Sequence, residues 1–330
     1  MSTIETISRP VPVTILTGFL GSGKTTLLNR ILSEQHGQKI AVIENEFGEA
    51  GIDSDLLINS EEQIVEMNNG CICCTVRGDL VRILGQLAEK RDSGELNFDR
   101  VIIETTGLAD PAPVAQTFFV EEKIGEYFSL DAIITVVDAR HAPQQLEEHH
   151  EAQEQVGFAD RILLSKTDLV SEQETAALIA RLRNINARAP VRKVHFGETE
   201  IDQILDIKGF NLNAILDIEP DFLTDVSHTH DDDIGSFVFR SNRPFDLYRL
   251  EEFLGDMVAV YGKDLLRYKG VLFVRDSPNR MIYQGVHMLM GADVGKPWTV
   301  SETPESVMVF IGRKLPKEAF MRGLKKCLTI

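Results

Sequence analysis

The chain has 330 residues, of which 43% are apolar and 26% are charged, a composition that is ordinary for a globular protein with a large core. That length predicts two domains. The formal net charge of −17 argues against a nucleic-acid partner, because a phosphate backbone repels surplus carboxylates. No apolar run approaches the roughly 18 residues of a membrane helix, and the first residues lack the apolar core of a signal peptide. We therefore expect a cytoplasmic protein without membrane contact.

A glycine-rich stretch near the start of the chain predicts a phosphate-binding loop. An apolar run at 13–16 precedes it, and apolar residues at helical spacing follow it. The pattern G-x-x-x-x-G-K-[ST] therefore lies between a strand and a helix, which is the context that such a loop requires. Lys24 would reach the β- and γ-phosphates, and Thr25 would offer its hydroxyl to Mg²⁺. The residues predicted to contact the nucleotide are Gly18, Phe19, Leu20, Gly21, Ser22, Gly23, Lys24, Thr25 and Thr26.

An acidic segment follows the second predicted strand, which covers 39–43. The segment at 44–49 contains three carboxylates, including Glu44 and Glu49. A solvated acidic turn would explain it if it stood alone. A further strand is predicted at 63–66, ahead of a cluster of cysteines.

The strand at 101–104 ends in an acid. In phosphate-loop proteins such a strand lies beside the first one, and its acid binds Mg²⁺ or the water around it. We predict this role for Glu104, and a catalytic group made of Lys24, Thr25 and Glu104. Gly107 would contact the γ-phosphate through its N–H. Pro111 and Pro113 then predict the start of a helix.

The tetrapeptide at 165–168, Ser-Lys-Thr-Asp, predicts recognition of guanine. It follows a predicted strand and precedes a helix opened by the capping box of Ser171 and Glu174. The carboxylate of Asp168 could accept hydrogen bonds from N1–H and the 2-amino group of guanine, whereas adenine offers neither. Lys166 and Asp168 are therefore predicted to bind the base, and GTP is favoured over ATP.

Strands alternate with helices over roughly residues 12–207, which predicts an α/β fold with a doubly wound, mostly parallel sheet. We predict a nucleotide-binding domain at 1–218, an acidic linker at 219–235 and a smaller C-terminal α+β domain at 236–330. The last domain resembles a split β-α-β arrangement. Its predicted elements are a strand at 236–240, a helix capped by Asp246, a hairpin of 270–274 with 281–286, a strand at 307–311 and a helix from Pro316.

Three of the four cysteines lie within four residues, which favours a metal site over a disulfide framework. Thiolates bind zinc and similar ions, but adjacent residues cannot easily all reach one tetrahedral ion. We expect one or two thiolates with outside carboxylates, and a set of small buried thiols or a redox pair is the alternative. The predicted metal ligands are Glu44, Glu49, Cys71, Cys73 and Cys74.

Taken in order, these motifs resemble those of the CobW-type P-loop GTPases, and in particular the YjiA-like branch. The cysteine cluster between the first two nucleotide motifs is the most specific of them. The family is associated with metal insertion and zinc homeostasis, and it is related to GTPases that help nickel enter urease and hydrogenase. The resemblance implies that Glu44, Glu49 and Cys73 are the main metal ligands. Many members carry a long histidine-rich run near the linker, where this chain has only His228 and His230.

The prediction is a metal-responsive GTPase that uses GTP, Mg²⁺ and Zn²⁺ or another divalent transition metal. It would hydrolyse GTP slowly and deliver the metal to a client metalloprotein, with a homodimer as a second assembly to consider. The alternatives are a small-molecule kinase and a metal-binding or sensing protein whose nucleotide site is only structural. GTP turnover with and without zinc would separate them.

Overall fold

The computed structural model of this chain describes residues 10–34, 37–44, 76–195, 232–299 and 302–329, together with 197, 200, 204–207 and 209. Five sequence predictions fall outside these residues in whole or large part. They are the acidic segment after Glu44, the strand at 63–66, the cysteine cluster, the two linker histidines and most of the linker itself.

The N-terminal part is built on a six-stranded parallel sheet. Its order is β2-β3-β1-β4-β5-β6, and every pair of neighbours runs parallel. The strands are mostly buried along their whole length because helices cover both faces of the sheet. The strands are β1 Val11–Thr17, β2 Ile40–Glu44, β3 Arg100–Glu104, β4 Phe128–Asp138, β5 Arg161–Ser165 and β6 Val191–Lys193.

Seven helices accompany these strands in the described residues. Alternate residues of β1 face opposite helical layers, so that Leu16 packs with α1 while Ile15 joins the larger cluster on the other face. The predicted doubly wound, mostly parallel sheet is therefore confirmed. The helices are α1 Lys24–Ser33, α2 Val76–Asp92, α3 Ala112–Val120, α4 Glu122–Tyr127, α5 Ala142–Glu148, α6 His150–Phe158 and α7 Glu172–Ile185.

Helix starts follow the local sequence. The side chain of Ser171 accepts a hydrogen bond from Glu174 N–H, and the Glu174 carboxylate accepts one from Ser171 N–H, so the predicted capping box is present. Pro111 precedes the first residue of α3, where a missing backbone N–H removes no helical hydrogen bond.

The C-terminal part is a five-stranded antiparallel sheet with two helices. Its order is β10-β9-β8-β11-β7. β11 is antiparallel to both of its neighbours, so β7 and β8 run parallel with β11 between them. This is the predicted split β-α-β arrangement. The elements are β7 Ile234–Ser241, α8 Leu247–Tyr261, β8 Leu265–Leu272, β9 Asn279–Val286, β10 Leu289–Pro297, β11 Ser306–Arg313 and α9 Lys317–Lys326.

Two features of this sheet differ from the sequence prediction. β8 begins at Leu265 rather than at residue 270. Arg267 and Lys269 are buried within the strand, and these two polar residues break the apolar pattern on which the predicted start was based. β10 was not predicted. Most of its residues are exposed, so its sequence lacks the alternation of apolar and polar residues that indicates a half-buried strand.

Charged side chains link the two parts across their interface. Asp160 lies just before β5, and its Oδ1 accepts a hydrogen bond from the guanidinium of Arg267 in β8 at 2.5 Å. Both side chains are only 3% exposed. Arg181 in α7 holds Asp232, at the start of the second part, with Nε at 3.0 Å from Oδ2 and Nη2 at 2.6 Å from Oδ1. Among the described residues, no helix combines the length and the apolar composition needed to cross a bilayer.

Candidate functional site

The phosphate loop connects β1 to α1 and passes very close to β4. A Cβ atom on Gly18 would lie 2.3 Å from the carbonyl oxygen of Val136, so only glycine fits at this position. The buried ammonium group of Lys24 donates to the carbonyl oxygens of Gly18 at 2.9 Å and Phe19 at 3.3 Å. Lys24 thus lies across the loop, next to the first turn of α1, where the helix dipole favours a bound anion.

The remaining loop residues have different exposures. Phe19 is half-buried, with its ring centroid 4.7 Å from that of His149, whereas Leu20 is exposed. Thr26 is exposed on the first turn of α1, and Ser22 is fully buried. The hydroxyls of Ser22 and of Thr106, which follows β3, are buried without a hydrogen-bond partner in the described chain. Two such donors beside the loop suit a ligand rich in oxygen acceptors.

Glu104 lies at the end of β3, directly beside β1 as predicted. The hydroxyl of Thr25 donates to its Oε1 at 3.2 Å. A hydroxyl and a carboxylate are the hard oxygen ligands that Mg²⁺ prefers. The donor set of Thr25 and Glu104 therefore fits a nucleotide-bound Mg²⁺, with Thr25 on the first turn of α1 and Glu104 at the end of β3.

Glu44 ends β2 in register with Glu104 on β3. Residues paired in register on neighbouring parallel strands lie on the same face of a sheet, with the strands about 4.8 Å apart. The first predicted metal ligand is therefore next to the predicted Mg²⁺ ligand, on an adjacent strand. Glu49, Cys71, Cys73 and Cys74 lie outside the described residues.

The predicted guanine motif, at the end of β5, forms hydrogen bonds with the backbone of the phosphate loop. Ser165 Oγ donates to Ser22 O at 2.7 Å, and the ammonium group of Lys166 donates to Gly21 O at 2.7 Å. Asp168 is half-exposed, and its Oδ1 is 3.7 Å from Nδ1 of His195. Lys166 and Asp168 therefore lie at the same edge of the sheet as the phosphate loop.

Asp138 was not singled out in the sequence, yet it organises this motif. Its Oδ2 accepts from Lys166 Nζ at 2.7 Å and lies 2.9 Å from Nδ1 of His141. Burial alone would raise its pKa, but the hydrogen bonds from Lys166, His141 and the Arg140 N–H outweigh burial and lower it. The carboxylate therefore stays ionised. Asp138 ends β4 as Glu104 ends β3, a positional signal that could have identified it.

Gln155 is a second functional candidate that the sequence does not indicate. It is buried in α6, and its amide nitrogen donates to the carbonyl oxygens of Gly107 and Ala109, both at 3.1 Å. A single glutamine in an amphipathic helix is typical of a surface position, so no sequence pattern reveals this contact.

The described residues contain no cluster of three or more histidine, cysteine or acidic side chains arranged for a metal ion. Cys327, the isolated fourth cysteine, is buried, and its Sγ donates to carbonyl oxygens of Gly323 and Arg249. Burial raises the pKa of this thiol, so it behaves as a core residue.

Comparison with known proteins gives a consistent result along the chain. Residues 12–193 match the CobW/HypB/UreG nucleotide-binding domain, and residues 234–328 match the cobalamin synthesis protein cobW C-terminal domain. The zinc chaperone YjiA of Escherichia coli is 45% identical over 323 residues, which cover 96% of this chain and 99% of the relative. The zinc chaperone CobW of Pseudomonas aeruginosa is 33% identical, with 97% of this chain and 92% of the relative covered.

A solved structure agrees with the sequence relatives. The crystal structure of Zn(II)-bound YjiA GTPase from E. coli superposes with a TM-score of 0.80 and 40% identity, covering 97% of this chain and 99% of that chain. The similarity includes both parts of the fold. The chain belongs to the CobW/HypB/UreG family.

Proposed function

We propose that this protein is a metal-binding GTPase that couples GTP hydrolysis to the binding and delivery of zinc to a client protein. The names of its relatives support this: two are zinc chaperones, and the matching crystal structure is of a zinc-bound GTPase. Both relatives are covered over more than nine tenths of their length, so the domains that carry their function have counterparts here.

GTP is bound by the phosphate loop, residues 18–26, and the base is held by Lys166 and Asp168. Hydrolysis proceeds by attack of water in line with the bond between the γ-phosphorus and the bridging oxygen. Lys24 offsets the negative charge that develops on the transferred phosphoryl group. When bound at Thr25 and Glu104, Mg²⁺ supplies further positive charge at the phosphate oxygens. The part of the chain that the structure describes offers no arginine finger and no glutamine that orients water, and we expect a low intrinsic rate.

The observation that carries the coupling is the register of Glu44 with Glu104. Glu44 is a proposed zinc ligand and Glu104 a proposed Mg²⁺ ligand, and adjacent parallel strands hold them on one face of the sheet. A change at either site therefore acts directly on the other. Such linkage is reciprocal and typically amounts to about 1–3 kcal/mol.

The cargo is held by Glu44, Glu49 and Cys73, with Cys71 and Cys74 nearby. Few thiolates combined with carboxylates favour an exchangeable site, whereas four thiolates would give a structural one. The net charge of −17 also attracts cations to the protein. We propose domain boundaries of 1–218, 219–235 and 236–330, a cytoplasmic location and a client metalloprotein as partner.

The decisive experiment measures zinc affinity of the full chain with a non-hydrolysable GTP analogue, with GDP and without nucleotide. We expect the three affinities to differ by about 5- to 150-fold, the range of ordinary allosteric coupling. Cys73→Ser should weaken zinc binding, and Cys327→Ser is the matched control because that thiol lies in the core of the C-terminal sheet. Equal zinc affinities in all three nucleotide states would rule out delivery driven by GTP.

A parallel assay separates the alternative functions. Phosphate release from GTP is followed with and without stoichiometric zinc, and the products are analysed for phosphorylated small molecules. A zinc-dependent rate of phosphate release supports the proposal. Transfer of phosphate to an acceptor other than water would identify a kinase, and absence of turnover would identify a passive metal-binding protein.

A further inference from the structure

The loop that follows Glu104 is fixed to the end of β1 and lies against the phosphate loop. Its first residue, Thr105, donates from N–H to Leu16 O at 2.9 Å and from its hydroxyl to the Thr17 hydroxyl at 2.8 Å. Two residues later, a Cβ atom on Gly107 would lie 2.6 Å from the backbone nitrogen of Leu20. The backbone at Gly107 therefore lies in direct contact with the phosphate loop.

The other end of this loop is held by one side chain. Gln155 donates both protons of its amide group, one to the carbonyl oxygen of Gly107 and one to that of Ala109, each at 3.1 Å. The side chain is 1% exposed, so no water competes for these bonds. Its own backbone carbonyl accepts from the Thr135 hydroxyl at 2.7 Å, which fixes α6 on β4.

A primary amide that spans two carbonyl groups determines the orientation of the peptides between them. The carbonyl of Gly107 points towards Gln155, and the segment from Gly107 to Ala109 is pinned at both ends. Loops of this kind in GTPases are ordered by contact with the γ-phosphate. A small displacement of such a group lowers the rate by about 10²-fold per ångström.

We propose that Gln155 is a positioning residue for GTP hydrolysis, which orients the loop at residues 107–109 towards the γ-phosphate without touching the nucleotide itself. This inference rests on the GTPase function proposed above. GDP lacks the γ-phosphate, so binding of GDP does not depend on Gln155. The amide thus affects the triphosphate state alone.

A nearby residue provides a matched control. Gln153 is also buried in α6, where it donates to Leu146 O at 2.7 Å and accepts from Ile234 N–H at 3.1 Å. It makes the same number of hydrogen bonds to backbone groups as the amide of Gln155, but none to the loop at 107–109. A general effect of losing a buried amide would appear equally in both variants.

The test uses the full chain with Gln155→Met, which fills nearly the same volume without a donor, and Gln153→Met as the control. Steady-state kcat and KM for GTP are measured with the affinity for a fluorescent GDP analogue. We expect Gln155→Met to lower kcat about 10- to 100-fold while GDP affinity stays that of the parent chain. Gln153→Met should retain kcat even where it lowers the melting temperature.

Gln155→Glu adds a pH readout that a purely structural role would not produce. A buried carboxyl group has a raised pKa, and only its protonated form can donate to one of the two carbonyls. Relative to the parent chain, kcat of this variant should rise as pH falls. If Gln155→Met does not fold, the pH dependence of Gln155→Glu still tests the proposal.

Two results would overturn the inference. One is an unchanged kcat in Gln155→Met with intact GDP binding, and the other is an equal loss of kcat in Gln153→Met. Failure of the proposed function looks different, because the parent chain itself would then release no phosphate from GTP. In that case the role in hydrolysis fails with the proposed function, and binding tests only the orientation of the loop at residues 107–109 towards the γ-phosphate. Gln155→Met should then weaken binding of a non-hydrolysable GTP analogue and leave GDP binding unchanged.

Discussion

The hydroxyl of Thr25 lies 3.2 Å from the carboxylate of Glu104, although 79 residues separate them in the chain. The contact joins the first turn of α1 to the end of β3, and it exists because β3 lies next to β1. Helix start and strand end thus form one pair of oxygen ligands at the predicted phosphate site.

Glu104→Gln should lower kcat for GTP by about two orders of magnitude, as expected when a group that organises the reaction is lost. The amide keeps the size of the side chain and can still accept from Thr25, but it removes the negative charge that attracts Mg²⁺. Turnover is measured over a range of Mg²⁺ concentrations, and the half-saturating concentration should rise. Glu172→Gln, on the exposed first turn of α7, is the control. An unchanged Mg²⁺ dependence would remove Glu104 from the site.

Asp168→Asn should change the base preference from guanine to xanthine. The carboxylate accepts two hydrogen bonds from guanine, whereas an asparagine amide accepts one from N1–H and donates one to the 2-oxo group of xanthine. A site built to bond polar groups rejects a mismatched analogue by about 10⁴-fold. Competition between GTP and XTP for binding to the parent chain and to the variant measures the change. If the two chains prefer GTP to the same degree, Asp168 does not recognise the base.

Gly107→Ala should strongly reduce GTP turnover. The added methyl group would lie 2.6 Å from the Leu20 backbone nitrogen, so the loop or the phosphate loop must move. Gly255→Ala is the matched control, since a Cβ there meets nothing within 4 Å and the position is in the interior of α8. This control should keep its turnover and gain about 0.5–1 kcal/mol of unfolding free energy. Normal turnover by Gly107→Ala would contradict the close approach.

Asp160→Asn should lower the free energy of unfolding at neutral pH by about 3–5 kcal/mol, because it removes the carboxylate that faces the buried cation of Arg267. Urea unfolding followed by circular dichroism measures the loss. Glu34→Gln is the control. Glu34 pairs with Arg30 at the surface, and such a pair contributes less than about 1 kcal/mol to the free energy of unfolding.

The same substitution should change the pH dependence of stability. Burial would raise the pKa of Asp160, but the charges of Arg267 and Lys269 and the hydrogen bonds that the carboxylate accepts outweigh burial and lower it. A carboxyl group whose pKa is lowered by folding stabilises the fold at pH values above its pKa in the unfolded chain. That stability is lost as pH falls through the folded-state pKa. The unfolding free energies of parent and variant should therefore converge in acid, and a difference that stays constant as the pH falls would contradict this.

Much of the candidate nucleotide site can be predicted from short segments of the sequence. The phosphate loop, Glu104 and the guanine motif each combine a strand of apolar residues with a short pattern whose chemistry requires particular side chains. Their positions at neighbouring strand ends follow from the parallel sheet. The sequence therefore predicts that the three motifs lie at one edge of the sheet, and the structure brings them together there.

Contacts between distant elements could not be predicted in this way. Gln155 donates to carbonyl groups that are more than forty residues away in the chain. The residues around it in α6 give no sequence pattern that would predict these contacts. Arg267 and Lys269 interrupt the apolar pattern of β8 because Asp160 and a backbone carbonyl compensate for their burial. Such compensation depends on the tertiary fold, so a pattern based on hydrophobicity places the strand start too late.

The contact of Arg181 with Asp232 and the contact of Arg267 with Asp160 join the two parts of the fold at two separate places. One contact alone would leave one part free to pivot about it. Two contacts on different elements, α7 and the residue before β5, oppose that rotation.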